Sequence, residues 1–161
     1  MNDIVVRAAE PDEADALTAL TRRSKAYWGY PQEMLDGWAE LLSISSATIR
    51  ADRVVVAERD GVPAGYYHLA GEPPHGELAD LFIEPEAIGT GLGRRLWEHA
   101  VESARGAGFQ TLTLESDPHA ETFYLRMGAE RVGEREVAPG RRLPVLRVTV
   151  GSGAGVPGGA P

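Results

Sequence analysis

The sequence predicts a mixed α/β domain, and three observations carry that prediction. Apolar, β-branched runs and helical stretches follow the order strand, two helices, three strands, helix, strand, helix, two strands. In the middle of that order a glycine-rich loop joins a strand to a helix, at Leu81-Phe82-Ile83-Glu84-Pro85-Glu86-Ala87-Ile88-Gly89-Thr90-Gly91-Leu92-Gly93-Arg94-Arg95. The helix after that loop has one apolar face, because Leu92, Leu96, Ala100 and Ala104 recur at helical spacing with Trp97 and Val101 beside them. The total is about seven strands and about four helices.

Each element has its own local reason. Ile4 to Ala8 is apolar and β-branched, which predicts the first strand. Pro11, Asp12 and Glu13 signal a helix start, and Ala16, Leu17 and Leu20 give that helix an apolar side to near Lys25. Tyr27-Trp28-Gly29-Tyr30-Pro31 interrupts it, and Pro31 opens a second helix expected to run to about Leu42. Val54 to Glu58 and Ala64 to Ala70 form strands around the hairpin signal Asp60-Gly61. Glu72-Pro73-Pro74-His75-Gly76 is a turn before a strand from Glu77 to Ile83. Gly106 and Gly108 end the helix after the loop, and Thr111 to Glu115 is the next strand. Asp117-Pro118 starts a short helix to about Met127, and strands at 129–136 and 143–150 flank Pro139-Gly140. Residues 151–161, with five glycines, two prolines and no charge, read as a disordered tail behind a folded domain of residues 1–150.

The 161 residues suffice for one well-cored domain, and the 43% hydrophobic and 25% charged content is that of a soluble globular protein. No apolar run is long enough for a membrane span, and the N-terminus lacks the pattern of a secretion signal. Absence of cysteine excludes disulfides and thiolate metal sites and fits a cytoplasmic location. A net charge of −8 with scattered basic residues argues against a nucleic-acid surface and tolerates a cationic small molecule.

The glycine loop is where chemistry is concentrated. Glycines let a backbone approach a ligand closely, and the first turn of a helix offers unpaired N–H groups and a partial positive charge. Arg94 and Arg95 in that turn oppose the helix dipole unless an anion is bound, so the loop reads as a phosphate or pyrophosphate site. A P-loop would need Gly-Lys-Ser/Thr, and no lysine is present in this loop; the dinucleotide pattern GxGxxG would need glycine where Arg94 stands.

The loop strongly resembles the Arg/Gln-x-x-Gly-x-Gly/Ala signature of the GNAT family of N-acetyltransferases. Gly91 and Gly93 match the two glycines, Gly89 and Thr90 fill the intervening positions, and Ile88 takes the first position, where the side chain differs and the backbone amides remain. Ala120-Glu121-Thr122-Phe123-Tyr124-Leu125-Arg126-Met127-Gly128-Ala129 resembles the family's second coenzyme-side motif, and the likeness covers about residues 4 to 150.

The resemblance implies a central mixed, mostly antiparallel sheet with strands splayed at the cofactor site and acetyl-CoA as donor. It assigns the pantetheine arm to the backbone of Phe82 and Ile83 and the pyrophosphate to the amides of Ile88, Gly89, Thr90, Gly91, Leu92, Gly93 and Arg94. His119 stands where relatives often place a cofactor-touching asparagine.

Acetyl transfer to an amine needs a neutral nucleophile, a stabilised oxyanion and a proton for the departing thiolate. Tyr124 matches the family position of the acid that supplies that proton. Glu77 lies at the spacing of the glutamate base in histone-acetylating members, with Asp80, Glu115 and His75 as rivals. Strand alternation puts Glu77 and Leu81 on one face and Leu78, Asp80 and Phe82 on the other.

The acceptor pocket is implied between the first two helices and the hairpin, where Tyr27, Trp28, Tyr30 and Glu33 suit a cationic amine. The expected function is transfer of acetyl from acetyl-CoA to a primary amine, a small molecule first, by direct attack in a ternary complex without a metal. An acyl-CoA-binding sensor without catalysis is the alternative. The Gly140-Arg141-Arg142-Leu143-Pro144 turn suits closure over the site or a homodimer contact.

Overall fold

The computed structural model describes residues 3–151. The expected tail therefore lies outside the described residues, apart from Gly151. In chain order the elements are β1 (Ile4–Ala8), α1 (Ala14–Ala26), α2 (Gln32–Gly37), α3 (Ser46–Ala51), β2 (Arg53–Arg59), β3 (Val62–Ala70) and β4 (His75–Ile83). They continue as α4 (Leu92–Gly106), β5 (Thr111–Glu115), α5 (Glu121–Arg126), β6 (Glu130–Ala138) and β7 (Arg141–Thr149). The strands form one mixed sheet in the order β1-β2-β3-β4-β5-β7-β6, so the expected α/β class and seven strands are present. Among the described residues there are five α-helices rather than about four.

The additional helix lies between α2 and β2. The helix opened at Pro31 stops at Gly37 and gives way to turns, and α3 then starts at Ser46 behind its cap Ser45, whose Oγ accepts the Thr48 N–H at 3.1 Å. Capping of this kind satisfies an orphan donor and allows a helix too short to show periodicity. α3 is held by Ile49, which is buried. β4 also begins earlier than expected, at His75, because residues read as turn pair with β5.

The chain divides into two compact units, one running up to His68 and including Asp80–Trp97, the other comprising Leu69–Ala79 and everything from Glu98. In the first unit, Leu17 and Leu20 of α1, Ile44, Ile49 of α3, Val54 and Val56 of β2 and Tyr66 of β3 form a core against which Phe82 of β4 packs. Thr18 pins the start of the α3 segment to α1: its hydroxyl donates to the Ile44 carbonyl at 3.2 Å and accepts the Ile44 N–H at 3.0 Å. Asp60 and Gly61 turn the β2–β3 hairpin, both with positive φ (52° and 83°), the geometry that suits a two-residue hairpin loop. Arg7 ties β1 to its surroundings through Glu13 and Glu58, with Nη2–Oε2 and Nε–Oε2 distances of 2.8 and 2.9 Å.

The second unit is built on Phe109, Leu112, Leu114, Leu146, Val148 and Val150, all buried. Gly76 is required there, because a Cβ at that position would lie 2.4 Å from the Phe109 ring. β6 closes the sheet as an edge strand, exposed over most of its length and charged at Glu130, Arg131, Glu134, Arg135 and Glu136. Charge on an edge discourages strand addition by another chain.

Candidate functional site

The first unit holds most of the residues singled out from the sequence. β4 pairs in parallel with β5 at His75–Thr111, Gly76–Leu112 and Glu77–Thr113, and the register ends there although β4 continues to Ile83. From Leu78 onward, β4 therefore has an edge that β5 does not use. Phe82 and Ile83 lie on that stretch, with Glu84 N–H bonded to the Ala64 carbonyl of β3 at 2.8 Å on the other edge.

The loop then makes a single 3-10 turn at Pro85–Ala87 and reaches Ile88, Gly89, Thr90 and Gly91 before α4. Gly89 and Gly91 have φ of +82° and +92°, and a Cβ added at either would meet nothing within 4 Å. Space is thus not what demands glycine at these two positions; the left-handed backbone is. Thr90 donates its hydroxyl to the Ala87 carbonyl at 2.5 Å and fixes the turn. Leu92, Gly93 and Arg94 open α4, where helical N–H groups have no carbonyl four residues back. No acidic residue stands in that first turn, where the helix dipole favours negative charge. Within the loop the Ile88 and Thr90 N–H groups are taken by the Pro85 and Ala87 carbonyls, each at 3.2 Å, and the two left-handed glycines lead on to the start of α4.

Arg23 of α1 clamps Glu84 with both guanidinium branches, Nε to Oε1 at 2.9 Å and Nη2 to Oε2. This pair joins α1 to the entry of the loop within the first unit. The aromatic segment after α1 is ordered by ring contacts: Tyr27 on Trp28 at 5.0 Å and Tyr30 on Trp38 at 5.1 Å between centroids, both edge to face. Lys25 Nζ sits 5.7 Å from the Tyr30 ring centre. Tyr27 and Glu33 are exposed, and Trp28 and Tyr30 half-buried.

A buried polar cluster in the same unit escaped the sequence reading. His68 on β3 is 9% exposed and lies between two carboxylates, with Nδ1 3.1 Å from Asp80 Oδ2 and Nε2 2.7 Å from Asp52 Oδ2. A neutral imidazole has one N–H, whereas both ring nitrogens here face acceptors, so the charged form suits the site. Burial works against that charge, but hydrogen bonds to Asp80 and Asp52 outweigh it and raise the pKa above the ordinary histidine value. Beside it, the Tyr66 hydroxyl lies 2.6 Å from Thr21 Oγ1, and Thr21 donates its proton to the Leu17 carbonyl at 2.8 Å. Tyr66 must therefore be the donor to Thr21. Burial pushes the Tyr66 phenol pKa upward, and Asp80 adds to the shift.

In the second unit, Tyr124 lies buried on α5 with Phe123 edge-on at 5.2 Å. His119 is exposed and folded onto Asp117, which accepts its backbone N–H at 2.8 Å and lies 2.7 Å from its ring Nδ1. Glu77 is exposed on β4. Of the rival bases, Glu115 is paired with Arg135 and His75 with the Thr111 hydroxyl. Asp80 alone among the four belongs to the buried cluster. His68 and Asp52 carried one legible signal: alternation sets His68 on the same strand face as Tyr66. Their partnership across β3, β4 and the end of α3 has no local signature. No group of three or more His, Asp or Glu among the described residues is arranged to hold a metal ion. No helix among them is long and apolar enough to cross a membrane.

Comparison with known proteins bears on the family and the fold. The chain is 33% identical over 122 residues to an IAA acetyltransferase of Azospirillum brasilense, covering 73% of this chain and 77% of that protein. It is 30% identical over 155 residues to the peptidyl-lysine N-acetyltransferase YjaB of Salmonella typhimurium, covering 90% and 97%. The fold matches the crystal structure of PaiA N-acetyltransferase from Thermoplasma acidophilum in complex with coenzyme A, with a TM-score of 0.78 at 17% identity over 91% of this chain and 99% of that one. The acetyltransferase (GNAT) family matches residues 17–129, and the chain belongs to that family.

Proposed function

We propose that this acetyltransferase moves an acetyl group from acetyl-CoA to a primary amine, a small molecule, by direct attack in a ternary complex in the cytoplasm. The observation that carries the reading is β4: it leaves its pairing with β5 after Glu77 and runs through Leu78–Ile83 into a loop with two left-handed glycines and the start of α4. In this reading the free edge at Phe82 and Ile83 hydrogen-bonds the pantetheine arm. The amides of Ile88 to Arg94 hold the pyrophosphate, and His119 lies on the cofactor side. Acetyl-CoA supplies the activated acyl group as a thioester. The chain's own part is to orient it, to accept a proton from the amine nitrogen and to return one to the leaving sulfur.

Tyr124 is the proposed acid, because a tyrosine hydroxyl placed at the sulfur can pass its proton to the departing thiolate. A β4 carboxylate is the proposed base, and spacing alone favours Glu77. Tyr27, Trp28, Tyr30 and Glu33 are the proposed acceptor contacts, an aromatic and acidic set suited to a cation. The relatives' names include both an IAA and a peptidyl-lysine acetyltransferase, so a protein lysine is the second acceptor class to assay.

The test is thiol release from acetyl-CoA across a panel of small amines and lysine peptides, comparing the wild type with Tyr124→Phe. We expect release with at least one amine and a fall in kcat of about 100-fold or more in the variant, with acetyl-CoA still bound. Tight CoA binding with no amine-dependent release would overturn the enzyme reading in favour of an acyl-CoA-binding module.

A further inference from the structure

The buried cluster on β3 and β4 sits on the sheet face covered by α1 and α3. Asp80 shares its strand face with Phe82, which packs on the α1 and α3 core, and His68 shares its face with Tyr66, which bonds Thr21 of α1. The groups brought to Asp80 are His68 and Tyr66 from β3, Asp52 from the end of α3 and, through Tyr66, the uncharged Thr21 hydroxyl of α1. With His68 as imidazolium and both aspartates as carboxylates, the cluster carries one negative charge. His68 engages Oδ2 of Asp80, Oδ1 remains for another donor, and 24% of the side chain is open to solvent. A structural ion pair would use both charges internally. Here two carboxylates share a single cation, and the surplus negative charge sits on a half-buried group.

We propose that Asp80 is the carboxylate that binds the acceptor's ammonium group and takes its proton, and that His68, braced by Asp52, is the positioning residue that fixes Asp80. This rests on the amine-acetylating reading above and gives Asp80 the part that spacing alone offered to Glu77. The acceptor binds as R–NH3+ with one N–H on Asp80 Oδ1. That proton passes to Asp80 and then to water, freeing the nitrogen lone pair. The lone pair forms the N–C bond to the acetyl carbon. The C–S bond breaks, its electron pair leaves on sulfur, and the sulfur takes the proton of the acid. The nitrogen loses a second proton, which replaces the acid's. The sum is an amide, free CoA thiol and one proton released. The substrate class that follows is an amine charged at neutral pH, in preference to an alcohol or an uncharged aromatic amine.

The experiment uses the full chain, with spermidine, tyramine and Nα-acetyl-lysine as probes. It measures kcat/KM against pH and calorimetric binding of each amine to the CoA-loaded protein. Asp80→Asn is expected to lower kcat/KM by about 100-fold or more, to abolish the fall in rate on the acid side of the profile and to weaken amine binding about tenfold. Asp80→Glu should restore part of the rate. His68→Gln is expected to lower kcat about tenfold and to displace the acid limb, which a merely structural role would not do. An acid limb kept in Asp80→Asn and lost in Glu77→Gln overturns the assignment while leaving acetyl transfer standing. So does amine binding unchanged by Asp80→Asn, or amine binding absent from the wild type. Absence of thiol release in the wild type, with amine binding that depends on Asp80, sinks the transfer reading and keeps the ammonium site. Should Asp80→Asn not fold, the His68 ring NMR signals of the unsubstituted protein answer the same question. A bound amine should shift them, and signals unmoved at saturating amine refute the proposal.

Discussion

His68 links a single ring to the pH dependence of the fold. Burial disfavours its charge, the hydrogen bonds it donates to Asp80 and Asp52 favour it, and the balance raises its pKa in the folded chain above the ordinary histidine value. The folded state therefore holds the proton more tightly than the unfolded state does. The resulting stabilisation is fully present below the unfolded value and is lost as pH rises through the folded one. We expect urea denaturation to show a larger stability gap between wild type and His68→Gln at about pH 5.5 than at about pH 9. Equal gaps at the two pH values would mean that the ring is not held as a cation. At this scale the sequence exposes residue types and little of their company. Asp80 stands out as one of several carboxylates near a strand, but Asp52 and His68 are separated from it by turns of chain. Only the pairing of β3 with β4 and the end of α3 brings the three together. Tyr124 and the loop glycines are legible because their neighbours in sequence form a motif. Glu77 is legible by spacing and turns out exposed.

Among the elements, β3 and α4 show how close packing fixes the strand that feeds the loop. A Cβ at Gly65 would lie 2.8 Å from both Ile83 Cγ2 of β4 and Leu96 Cδ1 of α4, and 3.0 Å from the Phe82 carbonyl. Leu96 is fully buried and cannot yield easily. Gly65→Ala is expected to destabilise the protein by about 1–3 kcal/mol in chemical denaturation. Because the push falls on Phe82 and Ile83, acetyl-CoA affinity should drop as well. Unchanged stability would show that β4 and α4 move apart freely. The strands were largely readable, since alternation and hairpin residues are local: Asp60-Gly61 alone predicts the β2–β3 turn. Between β1 and β2, α1 was readable from its start signal and apolar side, whereas the end of α2 and the whole of α3 were not. α2 and α3 are six residues each, too short to impose a period, and they are set by the Ser45 cap and by burial of Leu35 and Ile49.

Taken whole, an acidic chain that binds a polyanion must do so with local means. The net charge is −8, so in the proposed cofactor site the α4 dipole and the arginines at its start would have to outweigh a repulsive long-range field. We expect acetyl-CoA at about 100 times its Kd to stabilise the protein by about 2.7 kcal/mol, read as a rise in Tm, with NAD and ATP giving no comparable rise. Stabilisation by NAD or ATP and not by acetyl-CoA would move the loop to a different ligand. The sequence by itself determined the fold class, the order of the strands and of every helix but α3, the glycine loop and the donor it suits. All of these are written in local periodicity, turn residues and short motifs, whose physics acts between neighbours in the chain. The tertiary structure decided where β4 parts from β5, which carboxylate is buried and what company it keeps. Those depend on strand register and on packing between distant segments, and no stretch of sequence records the charge that a fold will place beside it.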